Sequence, residues 1–168
     1  MGNTDARRLP VVSLGAEHLA IGHLMRRNIL AYKAPPNTEG YDLVCIHPNP
    51  RHKTRQIRVQ VKSRYQADGD GTFLIKKKSF KCFDYIILVF LKIGNFYHKN
   101  QIADVSSAVE FYTLPVVEAK KLYQKAGWEK LCTHDKDLSK FKNEKGFERI
   151  AIELGIEHPS KAKRKLLQ

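Results

Sequence analysis

The run Tyr85-Ile-Ile-Leu-Val-Phe-Leu91 is the longest uninterrupted apolar stretch of the chain, and its length limits what it can become. A helix crossing a bilayer needs about 18 apolar residues, so this segment is too short to span a membrane. A strand apolar at every position belongs in the interior of a sheet, covered on both faces. The run therefore predicts a buried strand over residues 84–93, central in its sheet.

Other segments read against that strand. Leu14, Ile21, Leu24, Met25 and Asn28 fall at helical spacing, Ser13 can cap them, and Lys33-Ala-Pro-Pro-Asn37 ends them, which predicts a helix from 13 to about 31. Tyr41 to His47 reads as a strand closed by Pro48, Asn49 and Pro50. Arg55 to Ser63 alternates, with Ile57, Val59 and Val61 on one side and Arg58, Gln60 and Lys62 on the other. These two strands are expected to pair antiparallel. Asp68-Gly-Asp-Gly71 marks a turn and residues 72–75 a short strand. Residues 101–113 suit a strand or loop. Residues 114–126 suit a helix with Pro115 in its first turn and Gly127 as its stop, and residues 147–154 a last strand or short helix. The aromatic residues Phe111, Tyr112, Tyr123 and Trp128 are assigned to the core, the usual place for such side chains.

A length of 168 residues suits a single domain. Its expected parts are a flexible arm (1–12), a motif-bearing core (13–93), the remainder of the domain (94–156) and a basic tail (157–168). Thirty Lys and Arg against 17 Asp and Glu leave a formal charge of +13, which implies an anionic partner. The polar N-terminal residues carry no secretory signal, so a cytoplasmic protein acting on nucleic acid rather than a membrane is expected. Cys45, Cys82 and Cys132 are far apart and lack CxxC spacing, which predicts reduced thiols and no zinc knuckle.

Chemistry concentrates in the first half. Gln60 and Lys62 project to one side of their strand, about 7 Å apart along it, and the preceding strand can place Asp42 beside them. Carboxylate and amide oxygens suit a hard divalent cation, and a neighbouring lysine can hold an attacking water or balance phosphate charge. Glu17 lies on the apolar stripe of the first helix, with Ala20, Ile21 and Leu24 at i+3, i+4 and i+7. Either it snorkels to solvent, or a cation, a lysine or water meets it near the sheet. His134, Asp135 and Asp137 show no ligand spacing and read as a surface loop.

The succession Gly15-Ala-Glu17-His on the helix, Gly40-Tyr-Asp42-Leu-Val and Ile57-Arg-Val-Gln60-Val-Lys62-Ser resembles the PD-(D/E)xK nuclease superfamily. It is most similar to the branch with Gln-Val-Lys in place of Glu-x-Lys, which includes archaeal Holliday-junction-resolvase-like proteins and intron homing endonucleases. The match covers roughly residues 13–93. The resemblance implies an α/β fold with a restriction-endonuclease-like αβββαβ core, its central mixed sheet flanked by helices. It implies Asp42 as main metal ligand, Gln60 through its side-chain oxygen and Val61 through its carbonyl as further ligands, Lys62 as catalytic lysine and Glu17 as auxiliary acid. The cofactor would be Mg²⁺ or Mn²⁺. The departure from the commoner pattern is Gln60 itself, a neutral group that attracts a cation less than a glutamate does.

The implied function is a metal-dependent endonuclease hydrolysing phosphodiester bonds in DNA, with a homodimer in keeping with the resemblance. The alternative is a nucleic-acid-binding protein of the same fold that cleaves weakly or not at all, and a third class is a basic interaction domain without a site. Arg58, Ser63, Arg64, Lys76, Lys77 and Lys78 are the candidate phosphate contacts near the sheet, joined by Lys163 and Arg164 of the tail.

Overall fold

The computed structural model describes residues 10–53, 55–65, 71–93 and 108–156. The first helix, α1 (Pro10–Met25), begins three residues before Ser13, so Ser13 is inside the helix and does not cap it. It ends earlier than its periodicity suggests. Asn28 takes a φ of +59° and the N–H of Ile29 returns to the Leu24 carbonyl, a left-handed helix stop of the kind Asn tolerates. The chain is thereby free to form β1 (Leu30–Lys33), an edge strand where the sequence periodicity suggests more helix.

β2 (Leu43–Ile46) and β3 (Ile57–Arg64) pair antiparallel as expected, with Leu43 opposite Val59 and Cys45 opposite Ile57. After β3 come β4 (Thr72–Leu74), a 3-10 turn (Lys77–Lys81) and β5 (Tyr85–Phe90), all six residues of which are buried. β5 runs parallel to β3, with Gln60 opposite Ile86 and Lys62 opposite Leu88. The crossover between them is built from β4 and the 3-10 turn, in the place where the αβββαβ pattern puts a helix.

β6 (Glu110–Pro115) pairs antiparallel with β5 and closes the five-stranded mixed sheet in the order β1-β2-β3-β5-β6. The apolar strand β5 is thus internal, and β3 is the middle strand. The stretch expected to be one helix divides. α2 (Val116–Lys121) is followed by the hairpin of β7 (Tyr123–Ala126) and β8 (Trp128–Cys132), because Gly127, with φ of +72°, turns the hairpin and does not end a helix. β8 also pairs with β4, giving a small sheet of order β4-β8-β7. A second 3-10 turn (Ser139–Phe141) leads into α3 (Asn143–Glu153), which resolves the last element as a helix.

The large sheet has a packed layer on each face. Ala16, Ala20 and Leu24 of α1 and Phe147, Ile150 and Ala151 of α3 cover Val59, Val61, Ile87 and Val89. On the other face, Ile86, Leu88 and Leu114 meet Phe73, Leu131, Phe80, and Ala119 of α2. The fold is therefore α/β, a central mixed sheet with helices on its two faces. No helix among the described residues is long and apolar enough to cross a membrane. The tail, the first nine residues, most of the 68–71 turn and residues 101–107 lie outside the described residues.

Candidate active site

Asp42 stands at the point where β2 begins to pair with β3. Its N–H donates to the Val59 carbonyl at 2.9 Å, fixing its backbone to the middle strand. Its side chain then reaches along that strand, and the N–H of Val61 donates to Asp42 Oδ2 at 2.7 Å. In the register of the pair, that N–H would otherwise face the carbonyl of Tyr41, so the carboxylate takes the place of the next ladder bond. Gly40 makes this parting possible. It has φ of +88°, and a Cβ built on it would lie 2.4 Å from the Cβ of Cys82.

Asp42, Gln60, Val61, Lys62 and Glu17 line one cleft of about 250 Å³, together with Ser13, Ser63, Arg64, Phe73 and Leu74. The groups singled out from sequence as catalytic or metal-binding are thus brought together. Ser13, first read as a cap, and the β4 residues Phe73 and Leu74 join them through tertiary packing that carries no local signal.

Burial pushes the Asp42 carboxyl up from its ordinary value; the Val61 N–H opposes that, nearby Glu17 adds to it, and Lys62 and Gln60 pull it back. Two acids brought together in a half-buried cleft are electrostatically unfavourable unless positive charge is near. One source is Lys33 of β1, whose Nζ lies 2.6 Å from Glu17 Oε2. Of the partners expected for Glu17, a lysine is present as an ion pair, while the buried Oε2 makes no hydrogen bond. Lys33 carries no such signal in the sequence, where its strand reads as the end of a helix and its turn.

Gln60 is only 7% exposed. Its amide Nε2 donates to Asp42 Oδ2 and lies 3.4 Å from the Val61 carbonyl, so the nitrogen occupies the side expected for the oxygen. The reason is chemical: a carboxylate and a carbonyl are both acceptors and attract an NH₂ group. Rotating the amide by half a turn would present its oxygen to the same place. The donor set therefore fits a hard cation, with the Asp42 carboxylate and Val61 carbonyl as oxygen donors, Gln60 able to add a third and Glu17 as a second negative charge. Among the described residues, this cleft included, no group of three or more His, Cys, Asp or Glu side chains is placed to hold a metal.

The candidate phosphate contacts separate. Ser63 and Arg64 line the cleft, where Arg64 Nε donates to the Thr72 carbonyl at 2.6 Å. Arg58 shares the face of Gln60, but Asp84 engages it: its N–H donates to Oδ2 at 2.8 Å, and its Nε and Nη2 lie 3.2 Å from the two carboxylate oxygens. Arg58 thus ties β3 to the entry of β5, and its side chain remains 40% exposed. Although burial works the other way, the Arg58 hydrogen bonds and charge hold the Asp84 carboxyl below its ordinary value. Lys76, Lys77 and Lys78 are exposed, and Lys78 Nζ lies 2.6 Å from Glu39. Lys163 and Arg164 lie outside the described residues.

No family model matches the chain, and no curated protein matches it. Several solved structures are similar to it, among them the following two. One is a bacterial homing endonuclease, 19% identical, with a TM-score of 0.49 over 100% of both chains. The other is the Holliday junction resolvase Hjc of Archaeoglobus fulgidus, 11% identical, with a TM-score of 0.40 over 71% of this chain and 87% of that one.

Proposed function

We propose that the chain is an endonuclease that hydrolyses phosphodiester bonds in DNA with Mg²⁺ or Mn²⁺ held by Asp42, the Val61 carbonyl and Gln60. The observation that carries the reading is the convergence of Glu17, Asp42, Gln60, Val61 and Lys62 on one cleft at the parting of β2 and β3. A divalent ion held by these residues would supply Lewis-acid chemistry for phosphodiester hydrolysis. Asp42 fixes the geometry, since its carboxylate and Val61 are already joined by a hydrogen bond. Lys62 presents an ammonium group that holds the attacking water and offsets charge as the phosphate becomes more negative. Glu17, steadied by Lys33, is an auxiliary acid at the helix side of the cleft. The net charge of +13 supplies attraction for a polyanion without regard to sequence, through contacts such as Lys76, Lys77 and the tail residues Lys163 and Arg164.

The test is a cleavage assay on plasmid, linear and four-way-junction DNA with Mg²⁺, Mn²⁺ or EDTA, run beside Lys62→Ala. Cleavage that needs metal and Lys62 is expected. DNA binding with no cleavage under any metal would instead favour a binding protein of this fold, a reading supported by the neutral Gln60 amide turned with its nitrogen toward Asp42. Light scattering of the protein with and without DNA tests the homodimer.

A further inference from the structure

The sequence places Trp128 in the core, yet it is 76% exposed, the largest exposure among the described large hydrophobic residues. It follows Gly127 at the tip of the β7–β8 hairpin, opposite Ala126. Alternation on β8 sends Leu131 inward, where it is fully buried, and sends Trp128 and Lys130 to the outer face. Lys130 is opposite Leu74 on β4, and Leu74, itself 57% exposed, lines the Asp42 cleft. The outer face of the small sheet thus continues from the cleft through Leu74 and Lys130 to the indole. Strand geometry puts Trp128 and Leu74 about 8 Å apart at Cα, one strand across and two residues along.

The surroundings of the tip are basic. Glu129, next to Trp128, accepts the N–H of Ile75 through its carbonyl and that of Lys77 through its side chain, which sets the hairpin against the turn bearing Lys76 and Lys77. A flat apolar ring in water, between cations and beside a cleft suited to phosphate chemistry, matches a nucleobase better than it matches an apolar protein surface. Base stacking on an aromatic side chain tolerates any sequence, because every base has a π-face. Inside a duplex those faces are covered by neighbouring bases, so the base that meets Trp128 must be unpaired.

We infer that Trp128 is a base-stacking element, receiving an unpaired nucleobase of the DNA strand that enters the Asp42 cleft while Lys130 and the Lys76-Lys77 turn meet its phosphates. This rests on the phosphodiesterase reading and adds a substrate feature to it, single-stranded or frayed DNA next to the cut.

Trp128 is the only tryptophan, so its emission reports on this position alone. The full chain is titrated in EDTA with a single-stranded oligonucleotide, a blunt duplex and an abasic strand of equal length. The single strand is expected to quench the indole, whereas the abasic strand binds without quenching. Trp128→Ala is expected to weaken single-strand binding about 5- to 150-fold, with Trp128→Phe restoring most of it and the salt dependence unchanged. Equal emission with normal and abasic strands, together with wild-type affinity in Trp128→Ala, would overturn the inference. If metal-dependent cleavage persists in that case, only the stacking role falls. If the wild type neither binds nor cuts any of the substrates, the phosphodiesterase reading falls with it.

Discussion

Lys33 Nζ lies 2.6 Å from Glu17 Oε2, joining the edge strand β1 to the helix acid of the cleft. A cation of the chain is therefore already in place where a metal ion would add its own charge. Lys33→Met should raise Mg²⁺ affinity by up to about fivefold, the scale of a partly exposed ion pair. Lys33 is 42% exposed, so the substitution should be tolerated by the fold. Calorimetric titration with Mg²⁺ checks this, and weaker binding in the variant would show that Lys33 supports the metal site instead of competing with it.

Asp42→Ala should remove detectable cleavage, and Lys62→Ala should slow it about 10²- to 10⁴-fold, the usual scale for a positioned proton-handling group. DNA affinity should change little in either variant, because it comes from scattered phosphate contacts. Parallel cleavage and filter-binding measurements decide it. Wild-type cutting rates in both variants would place the active site elsewhere.

Gln60→Glu replaces a neutral donor with a charged one of the same reach, so Mg²⁺ affinity should hold or rise. It also removes the amide N–H now donated to Asp42, leaving two carboxylates face to face in metal-free protein. The melting temperature should accordingly drop in EDTA and recover with Mg²⁺. Substantially weaker Mg²⁺ binding would mean that residue 60 is not a ligand.

Asp84 ties the Arg58 main chain and guanidinium to the start of β5. Asp84→Ala should cost about 1.5–3 kcal/mol at neutral pH, the scale of hydrogen bonds to a charged group. Because the folded carboxyl is held below its ordinary value of 3.8, its contribution is present above that pH and lost as pH falls through the lowered value. Urea denaturation from pH 7 down to acid should therefore show the gap between variant and wild type narrowing on the acid side. A gap that is constant with pH would assign the loss to packing.

Gly40→Ala places a methyl group against Cys82 and forces a left-handed conformation on a residue that resists it. The expected loss is about 2–5 kcal/mol, combining conformational strain with overpacking. Cleavage should fall further than the unfolded fraction accounts for, since Asp42 is two residues away. Activity of the folded fraction equal to wild type would separate Gly40 from the geometry of the site.

Legibility from sequence followed the range of the interactions. Gln60 and Lys62 were readable together because alternation along a single strand is local, and the pairing with Asp42 needed only the next strand. β1 was not readable, because Leu30 and Ala31 continue a helical pattern and the stop is one left-handed residue, Asn28. Arg58 looked the same as Lys62 in the pattern, and only the arrival of Asp84 from 26 residues away distinguishes them. Phe111 and Trp128 looked equally suited to the core, yet one is 1% and the other 76% exposed. Their difference comes from hairpin geometry at Gly127, which in sequence reads as a helix stop.

The middle position of β3 has a consequence for how the protein fails. β5 is bonded to β3 from Val59 to Arg64, while β2 and the Asp42 carboxylate hold its other edge. Amides in such a strand exchange with solvent only through opening of the sheet itself. Gln60, Val61 and Lys62 therefore have no route to local fraying, and thermal inactivation of the chain should coincide with its global melting, leaving no temperature range in which a folded protein persists with its candidate centre undone.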